Sequence, residues 1–299
     1  MNLVVTGAEG FLGRRLVAAL AAAGREVVAI DRIPHAGGRL PGVTYVQTDL
    51  EDVSRLLPES VQPGAPFVLL HLAWDMRRFQ GYGLQVEQIR PFAQLLDHWS
   101  ERGLRGAVVM GTAEEFGGRD GVISEEDPPR MPLSPYGWAK RAARELAQSW
   151  SMKSGLPVTW LRPFIIYGPG QKGDMLIPFA VECARRGQRA QFTDGLQKRD
   201  FVYIDDVVAA IVLAAEQRHD GFEAFNLGRG EPVLVADVLR GIARHFQAEA
   251  LFDLGGRPRR PGEPDVQVAD ITKARARLGW IPSVNWMEGL RRVCEGDVL

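Results

Sequence analysis

Short, almost wholly apolar runs alternate with longer amphipathic stretches through the first half of this chain, and that alternation leaves few folds open. Leu3–Thr6, Glu26–Asp31, Val43–Asp49, Phe67–Trp74 and Ala107–Thr112 read as strands, several of them apolar enough to be covered on both faces. Phe11–Ala23, Val86–Arg102 and Tyr136–Ser151 have the length and the period, about 3.6 residues, of helices. Strands joined through helices form crossover units, and these build a parallel α/β sheet with helices on both faces. Ligands of such a sheet bind beyond the carboxyl ends of its strands, where the topology reverses. Pro157–Tyr167 reads as one more central strand. After it, Gly168-Pro169-Gly170, Gly187, Gly195, Gly255-Gly256 and Pro258, Pro261 and Pro264 punctuate shorter elements, which reads as a smaller second lobe facing the first.

Bulk properties narrow the partners. The 299 residues suffice for a sizeable core, and 45% hydrophobic with 24% charged residues is ordinary globular composition. A net charge of -1 offers no field for nucleic acid, so a small molecule is the expected partner. Cys183 and Cys294 lie outside any Cys-x-x-Cys pattern, which predicts buried, idle thiols and a reducing compartment. The five histidines share no ligand spacing, so no metal is expected. No apolar run is long enough to span a membrane, and no basic, cleavable leader precedes the first strand. A cytoplasmic address is the expectation.

Thr6-Gly7-Ala8-Glu9-Gly10-Phe11-Leu12-Gly13 separates the first strand from an alanine-rich helix. Glycines there allow a tight turn, close approach of backbone to a pyrophosphate, and close packing of helix on strand. Asp31 ends the next strand eighteen residues after Gly13, where a carboxylate binds the adenosine ribose. That carboxylate repels a 2′-phosphate and favours NAD. Arg32, with Arg14 and Arg15 beside the loop, would welcome the phosphate and keeps NADP open.

Ser134-Pro135-Tyr136-Gly137-Trp138-Ala139-Lys140 opens a long helix, with Ser134 suited to cap it and Pro135 to its first turn. Tyr136 and Lys140 share a helix face. A phenol titrating near ~10 is a poor proton carrier at neutral pH; a nearby ammonium and a positive helix end favour its phenolate. Such a tyrosine can take a proton from a sugar hydroxyl while hydride leaves the carbon. Thr112, at the carboxyl end of its strand, is placed to share the substrate oxygen.

With these residues in order, the chain resembles the extended short-chain dehydrogenase/reductases, the NAD-dependent epimerase/dehydratase family of nucleotide-sugar enzymes. The likeness continues through Asp49-Leu50, His71-Leu72-Ala73, Arg162-Pro163 and Tyr167-Gly168-Pro169-Gly170-Gln171. Arg199-Asp200-Phe201-Val202-Tyr203-Ile204-Asp205-Asp206, Asn226-Leu227-Gly228, Arg260-Pro261-Gly262-Glu263 and Leu278-Gly279-Trp280-Ile281-Pro282 complete it. The resemblance implies a Rossmann-type doubly wound parallel sheet over residues 1–166 with a return segment near 201–228. A smaller C-terminal α/β substrate lobe would take 167–200 and 229–299. It implies that Thr112, Tyr136 and Lys140 are catalytic. Gly7, Gly10, Phe11, Leu12, Gly13, Asp31, Arg32, Asp49, Leu50, Leu72, Ala73 and Lys140 would hold NAD. Arg199 and Arg260 would reach the diphosphate of a nucleotide-diphosphate sugar, a role guanidinium forks suit. Similar enzymes form homodimers through the helices found here near Val86–Arg102 and Tyr136–Ser151.

The chain departs from that pattern at several positions. Trp74 replaces a small residue, which is either core or substrate-shaping; Ile165 replaces an asparagine, Gln88 another, and Phe116 a tyrosine. In similar 4,6-dehydratases, an acid or hydroxyl and then a glutamate follow the threonine. Glu114 matches the second, as base or as solvated loop carboxylate, but Ala113 has no proton to give. The expected activity is therefore hydride transfer at a sugar carbon, C4 by analogy, in an epimerase. The alternative is an NAD(P)H-dependent nucleotide-4-keto-6-deoxysugar 4-reductase, followed by a 4,6-dehydratase or a non-catalytic cofactor-binding protein. Isothermal titration should find NAD bound more tightly than its 2′-phosphorylated form. The reverse order would pass the ribose contact from Asp31 to Arg32.

Overall fold

The apolar runs assemble into one sheet because most of them carry apolar side chains on both faces. The computed structural model describes residues 2–53, 65–76, 81–171, 175–217 and 219–296. Along the chain come β1 (Asn2–Thr6), α1 (Phe11–Ala22), β2 (Val27–Asp31), β3 (Val43–Gln47), the short α2 (Leu50–Val53), β4 (Phe67–His71), α3 (Tyr82–Ser100) and β5 (Leu104–Met110). A 3-10 turn (Ala113–Phe116), β6 (Gly121–Ile123), α4 (Pro135–Ser154), β7 (Val158–Pro163) and β8 (Ile165–Tyr167) follow. The second half contributes α5 (Leu176–Arg185), β9 (Ala190–Phe192), β10 (Lys198–Arg199), β11 (Phe201–Tyr203), α6 (Ile204–Glu216) and β12 (Phe222–Leu227). Then come β13 (Val233–Leu234), α7 (Val235–His245), β14 (Phe252–Leu254), β15 (Val266–Ala269) and α8 (Trp286–Glu295).

Seven parallel strands form the central sheet in the order β12-β7-β5-β4-β1-β2-β3. The chain runs outward from β1 to β3 and returns to β4 on the other side of β1, so the topology reverses between β1 and β4. Alternate residues divide between two cores. Leu3, Val5, Val27, Ala29, Val68, Leu70 and Val108 pack with Leu16, Val17 and Leu20 of α1 and Val207 and Ile211 of α6. Val4, Val28, Ile30, Leu69, Ala107 and Val109 pack with Phe92, Leu95, Leu96 and Trp99 of α3 and Ala143 and Ala147 of α4. Those alanines let α4 lie close to the sheet.

The expected strand over Pro157–Tyr167 is in fact two. Pro163 carries no N–H for a ladder, Phe164 N donates to Leu227 O at 2.8 Å, and Ile165 N donates to Asp200 O at 3.0 Å. The chain thereby changes partners. β7 stays in the central sheet between β5 and β12, while β8 pairs with β11 in a separate two-stranded sheet. A further sheet runs β13-β10-β15-β6, and another pairs β9 with β14. A third apolar cluster joins residues of α5, α7 and α8 to Phe192, Phe201 and Tyr203.

Acidic side chains of the 199–206 motif stitch these parts together. Arg15 Nε meets Asp205 Oδ1 at 2.6 Å and Nη2 meets Oδ2 at 3.1 Å, tying α1 to α6. Buried Asp200 accepts the N–H groups of Arg229, Gly230 and Ala269 at 2.6, 2.9 and 3.1 Å. Burial outweighs these donors and pushes its carboxyl up to about 6. Gly228 has to be glycine here, since a Cβ would lie 2.3 Å from Asp200 Oδ2. Asp206 Oδ1 accepts the N–H and hydroxyl of Ser283, both at 2.8 Å, and Oδ2 accepts Val284 N at 3.1 Å. Trp280 Nε1 adds a bond of 2.7 Å to the Asp206 carbonyl. Because hydrogen bonds to a charged, buried acceptor are worth ~1.5–3 kcal/mol each and are not additive, Asp206→Ala should cost about 2–4 kcal/mol in urea unfolding, and Asp206→Asn clearly less.

Candidate active site

At the reversal between β1 and β4 the backbone packs without room for side chains. Gly7 has φ +73°, and a Cβ on it would lie 2.7 Å from Ala73 N. A Cβ on Gly13 would lie 2.0 Å from Gly7 O, so α1 presses directly on the loop. Gly10 N donates to Gly7 O at 3.1 Å, and Gly10 itself caps α1 with no side-chain bond to the helix. The first amides of α1 therefore face the loop without a protein cap, a geometry that suits a phosphate. Phe11 and Leu12, half-buried, pack against the third cluster. Leu72 N donates to Thr6 O at 3.1 Å, joining the segments that follow β1 and β4.

Asp31 sits at the end of β2 with Oδ2 accepting Glu9 N and Oδ1 accepting Ile33 N, both at 2.9 Å. The carboxylate is fixed against the loop, and each oxygen retains a further lone pair for a ribose hydroxyl. Arg32 is exposed beside it. Glu9, to which the sequence reading assigns no role, is buried and pairs with His35 Nδ1 at 2.7 Å and Arg14 Nε at 3.2 Å. The His35 ring stacks on Tyr45 at 3.7 Å. Asp49 follows β3 and accepts Glu51 N at 3.2 Å, while Leu50 is half-buried beside α3's cluster. These residues fit a dinucleotide: a crowded glycine cradle for the phosphates and a pre-set carboxylate for a ribose.

The second group lies at the carboxyl end of β5. Ser134 caps α4 as expected, its Oγ accepting Gly137 N at 3.0 Å and donating to Glu114 Oε2 at 2.6 Å. A Cβ on Gly137 would lie 2.7 Å from Glu114 O, so the 3-10 turn seats on the first turn of α4. Glu114 is thus half-buried and held by a hydroxyl rather than solvated. Thr112 caps the 3-10 turn: its Oγ1 accepts Glu114 N at 3.2 Å and its N–H donates to Glu115 Oε1 at 2.9 Å. Tyr136, Thr112 and Lys140 are all buried.

Lys140 Nζ donates to Met110 O at 2.7 Å and lies 3.9 Å from the centre of the Trp74 ring. Burial pulls its pKa down to about 7 against the opposing pull of Glu115. His71, bonded through Nδ1 to Thr6 Oγ1 at 2.8 Å, is held neutral by burial and by the Lys140 charge, down to about 3.

Glu115 is the residue that sequence reasoning missed. It is buried, and its Oε1 also accepts Trp160 Nε1 at 2.9 Å while Oε2 accepts Arg162 Nε at 3.0 Å. The Arg162 guanidinium lies over the Phe116 ring at 4.7 Å. The available signal was the Thr112-x-x-Glu115 spacing of a capping box, which the structure forms in full.

Arg199 and Arg260 meet through Glu263. Arg199 is buried, with Nη2 to Glu263 Oε1 at 2.7 Å and Nη1 to Lys198 O at 2.8 Å. Arg260 N reaches Glu263 Oε2 at 3.4 Å, and the Arg260 side chain is exposed. Arg199 is therefore not a surface ion pair. Among the described residues no group of three His, Cys, Asp or Glu is placed to hold a metal ion, and no helix is long and apolar enough to cross a membrane. Cys183 and Cys294 are free thiols in buried positions.

Comparison with known proteins agrees with this geometry. The family described as "NAD dependent epimerase/dehydratase family" matches residues 3–228. UDP-glucuronate 4-epimerase 4 of Arabidopsis thaliana is 28% identical over 327 residues, covering 98% of this chain and 74% of its own. MoeE5, solved in complex with UDP-glucose and NAD, superposes with a TM-score of 0.87 at 33% identity, covering 99% of this chain and 98% of its own. UDP-glucuronic acid 4-epimerase from Bacillus cereus, in complex with UDP-glucuronic acid and NAD, gives a TM-score of 0.85 at 28% identity, with coverages of 99% and 98%.

Removing one partner of a buried ion pair strands the other. Glu115→Ala should therefore lower stability by about 3–5 kcal/mol in denaturant unfolding, and the double variant Glu115→Leu/Arg162→Met should recover most of that loss.

Proposed function

The chain belongs to the NAD-dependent epimerase/dehydratase family, and on that premise we propose that it is a 4-epimerase acting on a UDP-sugar. The observation that carries this reading is the buried Thr112, Tyr136 and Lys140 set at the end of β5, beside the glycine cradle of the strand-order reversal. UDP-glucose and UDP-glucuronic acid, the sugars bound by the relatives, are the first substrates to test.

In this reading Gly7, Gly10, Phe11, Leu12 and Gly13 surround the pyrophosphate of NAD and Asp31 takes the adenosine ribose, with Arg32 at its rim. Asp49 and Leu50 border the adenine, Leu72 and Ala73 back the cofactor, and Lys140 holds the nicotinamide ribose. The Glu9 amide holds Asp31 in place, and the Asp31 carboxylate supports NAD over the 2′-phosphorylated form. Bound there, NAD would supply the acceptor and donor of hydride for the sugar carbon. Tyr136 takes the proton of the C4 hydroxyl and gives it back, Thr112 Oγ1 orients that oxygen, and the Lys140 ammonium one turn along favours the phenolate. Trp74 and Glu114 border the sugar, and Arg199 and Arg260 hold the diphosphate from a substrate lobe of residues 167–200 and 229–299. Water elimination is disfavoured because Ala113 has no proton to donate and Glu114 is engaged by Ser134. Exposed Tyr82 and Val86 of α3 and Trp138 and Met152 of α4 support pairing of two copies through those helices.

Tyr136→Phe should reduce turnover by ~10²–10⁴-fold or more while NAD affinity by isothermal titration stays close to wild type. In deuterated water, the expected product is a C4 epimer without solvent label. A 4-keto-6-deoxy product labelled at C5 would overturn the reading. Conversion only of preformed 4-ketosugars with added reduced cofactor would make the protein a 4-ketoreductase instead.

A further inference from the structure

The Lys140 ammonium has three N–H donors and is only 2% exposed, yet the one acceptor within hydrogen-bond reach among the described residues is the Met110 carbonyl at 2.7 Å. No carboxylate pairs with it directly. On another side lies the face of the Trp74 indole, with Nζ 3.9 Å from the ring centre. An aromatic face at that distance attracts a cation, most strongly when water is absent.

The indole is itself held. Trp74 Nε1 donates to Gln85 Oε1 at 3.0 Å, and Gln85, fully buried, donates through Nε2 to Asp75 O at 3.2 Å. Gln88 Oε1 accepts Asp75 N at 3.3 Å. Two amides of α3 thus grip the segment after β4 and set the plane of the ring.

Two titratable groups act on Lys140 from neighbouring elements, Glu115 of the 3-10 turn and neutral His71 of β4. Tyr136 lies one turn earlier on the same face of α4, and uncharged Gln85 of α3 is bonded to the indole. Glu115 favours the ammonium, but its oxygens are already engaged by Thr112, Trp160 and Arg162. Burial opposes the charge and wins, to about 7. The indole is therefore the immediate counterweight to desolvation.

We propose that Trp74 is a positioning residue for Lys140: its indole face, mounted on Gln85, holds the ammonium at the end of β5 before cofactor arrives. This rests on the reading above that Lys140 holds the nicotinamide ribose, and it moves Trp74 from a contact with sugar to a support beneath the lysine. Pre-setting the flexible four-carbon stem spares the ordering cost when NAD binds.

The test is carried out on the full chain labelled with 13C-lysine, which has five lysines to resolve. Lys140→Met assigns the Lys140 signal. In the wild type its ε-CH2 protons should lie upfield of the other lysines, shifted by the indole ring current, with cross-relaxation to that ring. Trp74→Leu, which keeps the site apolar but removes the π face, should abolish the upfield shift. It should also lower the Lys140 titration midpoint by about one pH unit. Trp74→Phe should restore most of both, and NAD affinity at neutral pH should follow the same order. A wild-type Lys140 signal in the ordinary range, or a midpoint unmoved by Trp74→Leu, overturns the proposal. The wild-type shift decides even if Trp74→Leu fails to fold. These readouts need no turnover. A perturbed Lys140 in a protein whose Tyr136→Phe variant stays active would remove the catalytic reading and leave the positioning intact, and the converse result would do the opposite.

Discussion

The Glu115 carboxylate joins segments that chain order keeps apart. One oxygen holds the amide of Thr112 at the end of β5 and the Trp160 indole on β7, and the other holds Arg162 two residues further along β7. These bonds add to Thr112's own cap, the Ser134 contact and the seat on α4 in fixing the 3-10 turn. The turn places Glu114 against Ser134, and that contact with Gly137 sets where the first turn of α4 begins. Tyr136 and Lys140 inherit their positions from there. A buried ion pair is poor value as stabilisation alone; here it fixes the register between a strand end and a helix start.

Acidic residues do comparable work in the second half. Asp200 gathers amides from residues 229, 230 and 269, and Asp206 gathers those of 283 and 284. Each replaces what a longer strand ladder would provide, since β8, β10, β11 and β13 have only two or three residues apiece. Short strands supply few backbone bonds, and buried carboxylates supply the rest.

This contrast explains what was legible in the sequence. The glycine loop, Asp31, the Ser134 cap and the Tyr136/Lys140 spacing are local patterns, each with a fixed offset, and the central sheet follows from the apolar runs. Glu115 and Arg162 lie 47 residues apart, and no local pattern announces that they meet. The same holds for Trp74 over Lys140. The run Pro157–Tyr167 read as one strand because periodicity reports burial and says nothing of the partner; both strands within it have buried residues, and Pro163 was the only mark of the change. Arg199 and Arg260 were legible as residues to watch, but their shared partner Glu263 was not.

The partner exchange at Pro163 also bears on modularity. Arg162 lies in the central sheet and belongs to the Glu115 cluster, while Ile165, three residues on, pairs with Phe201 in the sheet of the second half. A chimera that took its second half from a homologue could not be spliced at this point without importing β8, β11, Asp200 and the 229–230 loop as one block. Recombination in this scaffold should accordingly tolerate crossovers at surface loops and reject them here, so that new specificities arise more readily by point changes than by wholesale exchange.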